Sequence, residues 1–324
     1  MDKIKKELKN NKINNCKILI AVSGGPDSIF LLHNLNKLKK KLNLKLYVGH
    51  VNHSTRETCL RDQTFVQNIC QELEIECIIK TCPKKENLSE EEARNYRYKF
   101  LTDIKNKKLC NYIVLGHNED DQVETILMKI FKGCSVQGIS GMTTISQNFV
   151  DKSWTLLRPM LKIKKDLILN YLNKNNIRYC FDETNLDIKY TRNYLRNILI
   201  PQIKEYINPQ VNSSILNFNY HINQSNKIIN TELQKKSKKL LGEYDGKIQI
   251  NYKYFFLLKK SNSYQLSIII RNLFTKLKIP RKKITKKKID NFIELLSSKN
   301  KEELYKIFKV SIQFNNDDLV IKIP

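Results

Sequence analysis

The sequence predicts an α/β protein: a parallel, Rossmann-like sheet with helices on both faces, followed by a smaller, basic, mainly helical domain. Three observations carry this. Short apolar runs (Ile18–Val22, Tyr47–Val51, Cys77–Ile79 and Tyr112–Leu115) alternate with longer stretches of helical periodicity, the pattern of right-handed βαβ crossovers. Only nine glycines occur, and seven of them precede Thr143, three places at or beside the end of an apolar run. Charge is uneven: of a formal net +26, the segment Leu216–Pro324 carries 23 Lys+Arg against 9 Asp+Glu. Ile200-Pro201 and Asn208-Pro209 mark the exit from the first part, so the expected domains are 1–208 and 209–324.

The first run ends in Ser23-Gly24-Gly25-Pro26-Asp27-Ser28, and Ile29, Leu32, Leu35 and Leu38 then recur at helical spacing. Strand, glycine turn and helix make an anion cradle, because N–H groups of a helix start lack intrahelical acceptors and the helix dipole favours negative charge there. Pro26 suits a first helical turn. The turn is neither a Walker loop nor a GxGxxG signature. A plain helix cap made by Ser23 or Asp27 is the structural alternative.

Ligands of such sheets collect at the C-terminal strand ends, so the loops after the second and fourth runs matter next. The second reads His50-Val51-Asn52-His53-Ser54-Thr55-Arg56: contacts to a nucleotide or a second substrate, or ordinary loop polarity. Ser89 and Glu92 then form a capping-box pattern, and Arg94 and Arg97 lie one turn apart on the predicted helix 89–105. They can clamp phosphate or pair with Glu90 and Glu91. The fourth run leads into Gly116-His117-Asn118-Glu119-Asp120-Asp121-Gln122-Val123-Glu124. One acid at a helix start is explained by the dipole; four point to a functional cluster, with Asp121 suited to Mg²⁺ beside phosphates.

Phe131–Met142 is a glycine-spaced loop, Trp154–Leu157 a short strand closed by Arg158-Pro159, and 164–173 a helix. Asp182-Glu183-Thr184-Asn185 leads to Arg192 and Arg196, four apart and directed together at something anionic. A long helix runs to about Leu241. Pro280–Lys288, with Lys286, Lys287 and Lys288, is the densest basic cluster and suits phosphate tracking. Nucleic acid is the leading partner for such a field; a solvated basic face is the alternative.

Eight cysteines include no C-x-x-C pair, which argues reduced thiols rather than a metal centre. No run approaches the length of a membrane span, and Met1–Lys12 has no apolar signal core. A soluble internal protein is expected, in a cytoplasm or an organelle stroma, without membrane association. A homodimer is compatible with the sequence, which leaves the oligomeric state open.

The ordered set Ser23-Gly24-Gly25-x-Asp27-Ser28, His50-Val51-Asn52-His53, Glu92-Ala93-Arg94-x-x-Arg97-Tyr98, His117-x-x-x-Asp121-Gln122-x-Glu124-Thr125, Arg158-Pro159-Met160-Leu161 and Asp182-x-Thr184-Asn185…Arg192-Asn193-x-x-Arg196 resembles the tRNA(Ile)-lysidine synthase family of N-type ATP pyrophosphatases, strongly over Ile18–Pro201. After His53 the family usually shows Gly-Leu-Arg; here Ser54-Thr55-Arg56 stands. The resemblance implies a ligase using ATP, Mg²⁺ and L-lysine on tRNA(Ile) with a CAU anticodon. ATP would adenylate the C2 oxygen of the wobble cytidine, and lysine would then displace AMP. It further implies nucleotide contacts from Ser23, Gly24, Gly25, Pro26, Asp27, Ser28, His50, Asn52, Arg94 and Gly116, and catalytic parts for Asp27, Arg97, His117 and Asp121. Asp27 and Asp121 would hold the metal, and Arg192, Arg196, Lys286, Lys287 and Lys288 would meet the tRNA or the adenylate. The chain is shorter than the long family members, so tRNA would be gripped by a compact C-terminal part. Another tRNA-modifying pyrophosphatase, such as a thiolase, would want paired cysteines near the site, and a non-catalytic RNA-binding protein would not need the acid and histidine set.

Overall fold

The computed structural model describes residues 2–52, 58–82, 90–147, 155–181, 183–244, 247–277, 279, 284–298, 312–314 and 318–322. It divides into two compact units, Met1–Ile222 and Asn223–Pro324.

The first unit is built on a six-stranded sheet ordered β3-β2-β1-β4-β6-β5: β1 (Cys16–Ala21), β2 (Leu44–Asn52), β3 (Glu76–Thr81), β4 (Tyr112–Val114), β5 (Ile145–Gln147) and β6 (Thr155–Leu157). Neighbours β3, β2, β1, β4 and β6 are parallel, with Ile18 opposite both Leu46 and Tyr112. The edge strand β5 runs antiparallel to β6, a hairpin the expected parallel sheet did not include. Among the helices are α1 (Asp2–Asn10), α2 (Pro26–Leu38), α3 (Thr58–Glu72), α4 (Glu90–Lys108), α5 (Glu119–Phe131) and α6 (Lys165–Lys174).

Strand periodicity sorts the core. Side chains alternate between faces, so Ile18 and Ile20 of β1 join Ile29, Leu32, Val66, Ile168 and Leu172 from α2, α3 and α6 in one apolar cluster. Leu19 joins Phe100, Leu101 and Ile104 of α4 in another. Helices therefore cover both faces, and burying each of these side chains contributes roughly 1.5–3 kcal/mol. The chain leaves β1 toward β2 on one side and reaches β4 on the other, so the crevice between β1 and β4 is the topological switch point where ligands bind in such sheets.

From Thr191 the backbone runs through α7 (Thr191–Tyr194), a π-helical turn (Leu195–Leu199) and α8 (Ile200–Tyr206). The helix α9 (Val211–Leu240) follows. The expected boundary after Asn208 precedes this helix, whereas the compact units divide within it.

The second unit has its own core, with Phe255, Phe274 and Phe292 almost fully buried and the last two rings in edge contact at 5.0 Å. Its helices α10 (Tyr252–Ser261), α11 (Ser263–Lys276) and α12 (Lys286–Ser298) accompany an antiparallel sheet of β7 (Leu241–Tyr244), β8 (Lys247–Asn251), β10 (Asp318–Lys322) and β9 (Ile312–Phe314). Among the described residues no helix is long and apolar enough to cross a membrane. All eight cysteines are free thiols.

Candidate active site

Two loops at the switch point build the centre. After β1 the chain turns through Gly24 at φ +92°, a conformation that costs an L side chain, and α2 starts with Gly25 as its cap and Pro26 in its first turn. Ser28 Oγ donates to Gly25 O (2.9 Å) and accepts from Ser23 N–H (3.2 Å). The loop thus closes on itself, and first-turn N–H groups without intrahelical acceptors are presented to an anion. Gly116, at the end of β4, lies so close that a Cβ there would sit 3.2 Å from the carbonyl group of Asp27. Only glycine lets the two loops approach without displacement.

Asn118 ties them chemically. It is 2% exposed; its Nδ2 donates to Asp27 Oδ1 (3.0 Å), its backbone N–H donates to Asp121 Oδ2 (2.9 Å), and its Oδ1 accepts from the Asp121 N–H (3.0 Å). The last two bonds are a reciprocal capping box on α5. Asp27 Oδ2 meets Lys165 Nζ at 2.6 Å, and Asp121 Oδ1 meets an Arg196 nitrogen at 3.1 Å. Asp27 also acts electrostatically on Arg196, which places both acids in one neighbourhood. Two carboxylates held on one asparagine fit Mg²⁺, which takes one or two carboxylates and fills its other positions with water and phosphate oxygens. Each carboxylate oxygen keeps acceptor capacity beyond its present partner.

Beside the acids, His117 Nδ1 is buried with no hydrogen-bond partner among the described residues. Burial, and then the positive charges of Arg158, Arg192, Arg97 and Arg94, push the His117 pKa down to about 3. The ring thus lies in the positive field of four guanidinium groups, the electrostatic setting for a polyphosphate. Arg94 and Arg97 are exposed on α4 and lie over the Tyr98 ring at 5.5 and 5.7 Å. Arg158 is buried, donates to Thr143 O and Ser146 Oγ, and keeps a buried Nε that lacks a partner among the described residues.

His117 also makes stability depend on pH. Its folded pKa lies below the ordinary 6.5, so between about pH 6.5 and 3 the unfolded chain binds a proton that the folded chain does not. Stability of the ligand-free chain should fall as pH drops through that window. His117→Asn should flatten this acid limb in urea titrations at pH 6, 5 and 4; an unchanged limb would show that the folded ring takes up the proton.

Arg192 and Arg196, read from sequence as directed at an anion, meet the chain's own acids. Glu124, 1% exposed, receives Arg192 Nε at 2.7 Å and Arg196 Nε at 2.6 Å, and Asp121 shares Arg196. Burial draws the Arg196 pKa down, but the bonds and charges of Glu124, then Asp121 and Asp27, carry it above the ordinary value. His50 and Asn52 are each 3% exposed. His50 Nδ1 bonds the Val22 carbonyl and Asn52 Nδ2 bonds Gln63 Oε1, both at 2.9 Å, so the two brace strand ends from inside. Lys286, Lys287 and Lys288 stand exposed in the first turn of α12, whose Ile289, Phe292 and Leu296 face the second core. His53–Arg56, Ser89, Trp154, Asp182 and Pro280–Lys283 lie outside the described residues.

Asn118, Arg158 and Lys165 meet the candidate site although the sequence did not single them out as site residues, whereas Glu124 was read there only as one of four clustered acids. Arg158 carried a signal, the Arg-Pro pair closing a strand; Lys165 carried none, being 138 positions from Asp27.

Switch-point crevice, glycine cradle and acid pair define an ATP-using α/β domain of the PP-loop class. Residues 1–203 match the family model described as a PP-loop domain, and the chain belongs to that family. It is 35% identical over 234 residues to tRNA(Ile)-lysidine synthase of Clostridium perfringens, covering 70% of this chain and 49% of that protein. The corresponding synthase of Clostridioides difficile is 35% identical (75% and 53% covered), and that of Clostridium acetobutylicum 32% (88% and 61%). The chain thus spans about half to three-fifths of the length of these curated relatives. Among solved structures, the U34-tRNA thiolase NcsA from Methanococcus maripaludis with its [4Fe-4S] cluster superimposes with a TM-score of 0.53 at 18% identity, over 68% of this chain and 78% of that one. That likeness is one of fold alone.

Proposed function

We propose that the protein is a tRNA(Ile)-lysidine synthase, joining L-lysine to the wobble cytidine of a CAU-anticodon tRNA(Ile) at the expense of ATP. The observation that carries this is the meeting of anion cradle, acid pair and a histidine in the positive field of four arginines at one sheet edge, in a domain 35% identical to lysidine synthases. Ser23–Ser28 hold the β- and γ-phosphates on backbone N–H groups. Arg94 and Arg97, reaching in from α4, clamp the phosphates by paired donors. Asp27 and Asp121 would hold Mg²⁺, which when bound offsets charge on the leaving pyrophosphate. The cytosine C2 oxygen attacks the α-phosphorus and pyrophosphate leaves. The lysine amine then attacks C2 and AMP leaves. His117, held neutral with a buried Nδ1 that has no partner among the described residues, would serve beside the reacting atoms. The wobble base must be unstacked to reach them.

Lys286, Lys287 and Lys288 would hold tRNA phosphates. Three cations in the first turn of α12 oppose its dipole, an arrangement that folding alone does not favour and that a polyanion would offset.

The test is transfer of labelled lysine to a CAU-anticodon tRNA(Ile) transcript with ATP and Mg²⁺. Incorporation into that transcript and not into initiator methionine tRNA is expected; no incorporation, or equal labelling of both, would refute the assignment. In the same assay, alanine at Lys286, Lys287 and Lys288 should weaken tRNA binding and reduce its salt slope by about 0.7–0.9 for each phosphate no longer neutralised, with ATP affinity unchanged. An unaltered slope returns the cluster to a solvated face.

A further inference from the structure

The segment from Ile177 to Tyr194 carries an unusual surface. Phe181 is 60% exposed, Leu186 59%, Ile188 52%, Tyr190 51% and Tyr194 44%. Single exposed apolar residues are ordinary, but several so near one another in the chain mark an interaction surface. The backbone beneath is braced: Asn193 Nδ2 donates to the carbonyls of Thr184 and Asp187, both at 2.9 Å, and Asn197 Nδ2 donates to Asn185 O at 2.8 Å. Arg192 turns inward to Glu124, while Tyr194 at the end of α7 and Tyr190, the extended residue that precedes it, are both exposed.

The same segment reaches the phosphate loop. Cys180 N–H donates to Gly24 O at 2.9 Å, and Phe181, with Phe65, Tyr179, Arg61 and Arg178, lines a cleft of about 800 Å³. Arg178 is exposed and has no carboxylate partner among the described residues. Aromatic faces interleaved with guanidinium groups form the chemistry that binds single-stranded nucleic acid: bases stack on the rings and phosphates meet the cations.

We propose that residues 177–181 and 184–194 form a stacking platform for unpaired RNA, receiving the anticodon-loop bases that flank the wobble cytidine and so holding that base extruded into the site. This rests on the proposed lysidine-forming activity and adds to it the surface that presents the substrate. Phe181 and Tyr190 act as positioning residues: they touch neighbouring nucleotides, not the reacting atoms. Continuity with the site through Cys180–Gly24 and Arg192–Glu124, together with the arginines at its edge, selects RNA over an uncharged partner.

Two measurements on the full chain test it. In the unaltered protein, 4-thiouridine in place of the anticodon uridine of a CAU-anticodon tRNA(Ile) transcript should photocrosslink to peptides within 177–194; crosslinks confined to other peptides would overturn the platform. Second, Phe181→Ala with Tyr190→Ala should raise the tRNA Kd at least fivefold and lower lysine transfer mainly through KM, leaving ATP affinity and melting temperature unchanged. Phe181→Trp should restore binding, as a stacking role requires and a merely structural one does not. An unchanged Kd with intact lysine transfer would sink the platform while leaving the activity standing. Crosslinking and binding without any lysine transfer would keep the platform and sink the activity. A parent that sediments as a dimer, with a double variant that sediments as a monomer, would give the patch to a second copy of the chain.

Discussion

Glu124→Ala is expected to lower the melting temperature by about 10 °C. The Glu124 side chain is 1% exposed and takes three hydrogen bonds from Arg192 and Arg196, at 2.7, 2.6 and 3.0 Å. Removing one partner of a buried ion pair costs roughly 3–5 kcal/mol, because the other is left uncompensated. Both arginines keep a third or more of their side chains in water, which favours the low end. In a domain of this size each kcal/mol shifts the melting point by roughly 2–4 °C. Glu124→Gln, which keeps acceptors but loses charge, should fall between parent and alanine. Thermal unfolding by circular dichroism decides; a shift below about 2 °C would mean that solvent already screens the cluster.

Asp27→Ala should separate activity from stability in the opposite sense. Its bridge to Lys165 joins two side chains still 28–29% exposed, an interaction worth at most about 1 kcal/mol, and losing the acceptor of the buried Asn118 Nδ2 adds about 1–3 kcal/mol, so the melting point should fall by only a few degrees while activity collapses. Pyrophosphate release, measured with ATP, Mg²⁺ and tRNA, should drop on the order of 10²–10³-fold, the usual consequence of removing one preorganised electrostatic group. Asp121→Ala should lose activity as severely but also destabilise, since its carboxylate both caps α5 and neutralises Arg196. Retained release in either variant would withdraw the metal assignment.

Much of the scaffold was legible in one dimension. The strands before both loops could be read because apolar runs ended at glycines, and the parallel sheet because helices separated those runs. Glu119, Asp120, Asp121 and Glu124 were visible as a cluster, with His117 four positions before Asp121, because four acids at one helix start exceed what its dipole explains. Pairing was not visible. Arg192 and Arg196 read as ligands for an outside anion, yet Glu124, about 70 positions earlier, receives them in the fold. Spacing along a helix shows that two arginines share a face and says nothing of what faces them. His50 and Asn52 carried the chemistry of ligand contacts and turn out buried, since a histidine at a strand end looks the same whether its ring points to a crevice or to a neighbouring carbonyl. Strand β5 is no shorter than β4 or β6, but its Ser146 and Gln147 deprive it of the apolar run by which those two were read.

Asn118 also limits how the site can vary. A single side chain serves as end-stop of one helix and as tether for the acid that opens another, so the first turns of α2 and α5 are geared together. Displacing either drags its counterpart. Redesign of the 23–28 loop with residue 118 held constant would explore only the shapes that the gear permits, and departures at position 27 call for matching departures at 118 and 121. Three positions, two of them 91 residues apart in the chain, are thereby coupled through one side chain.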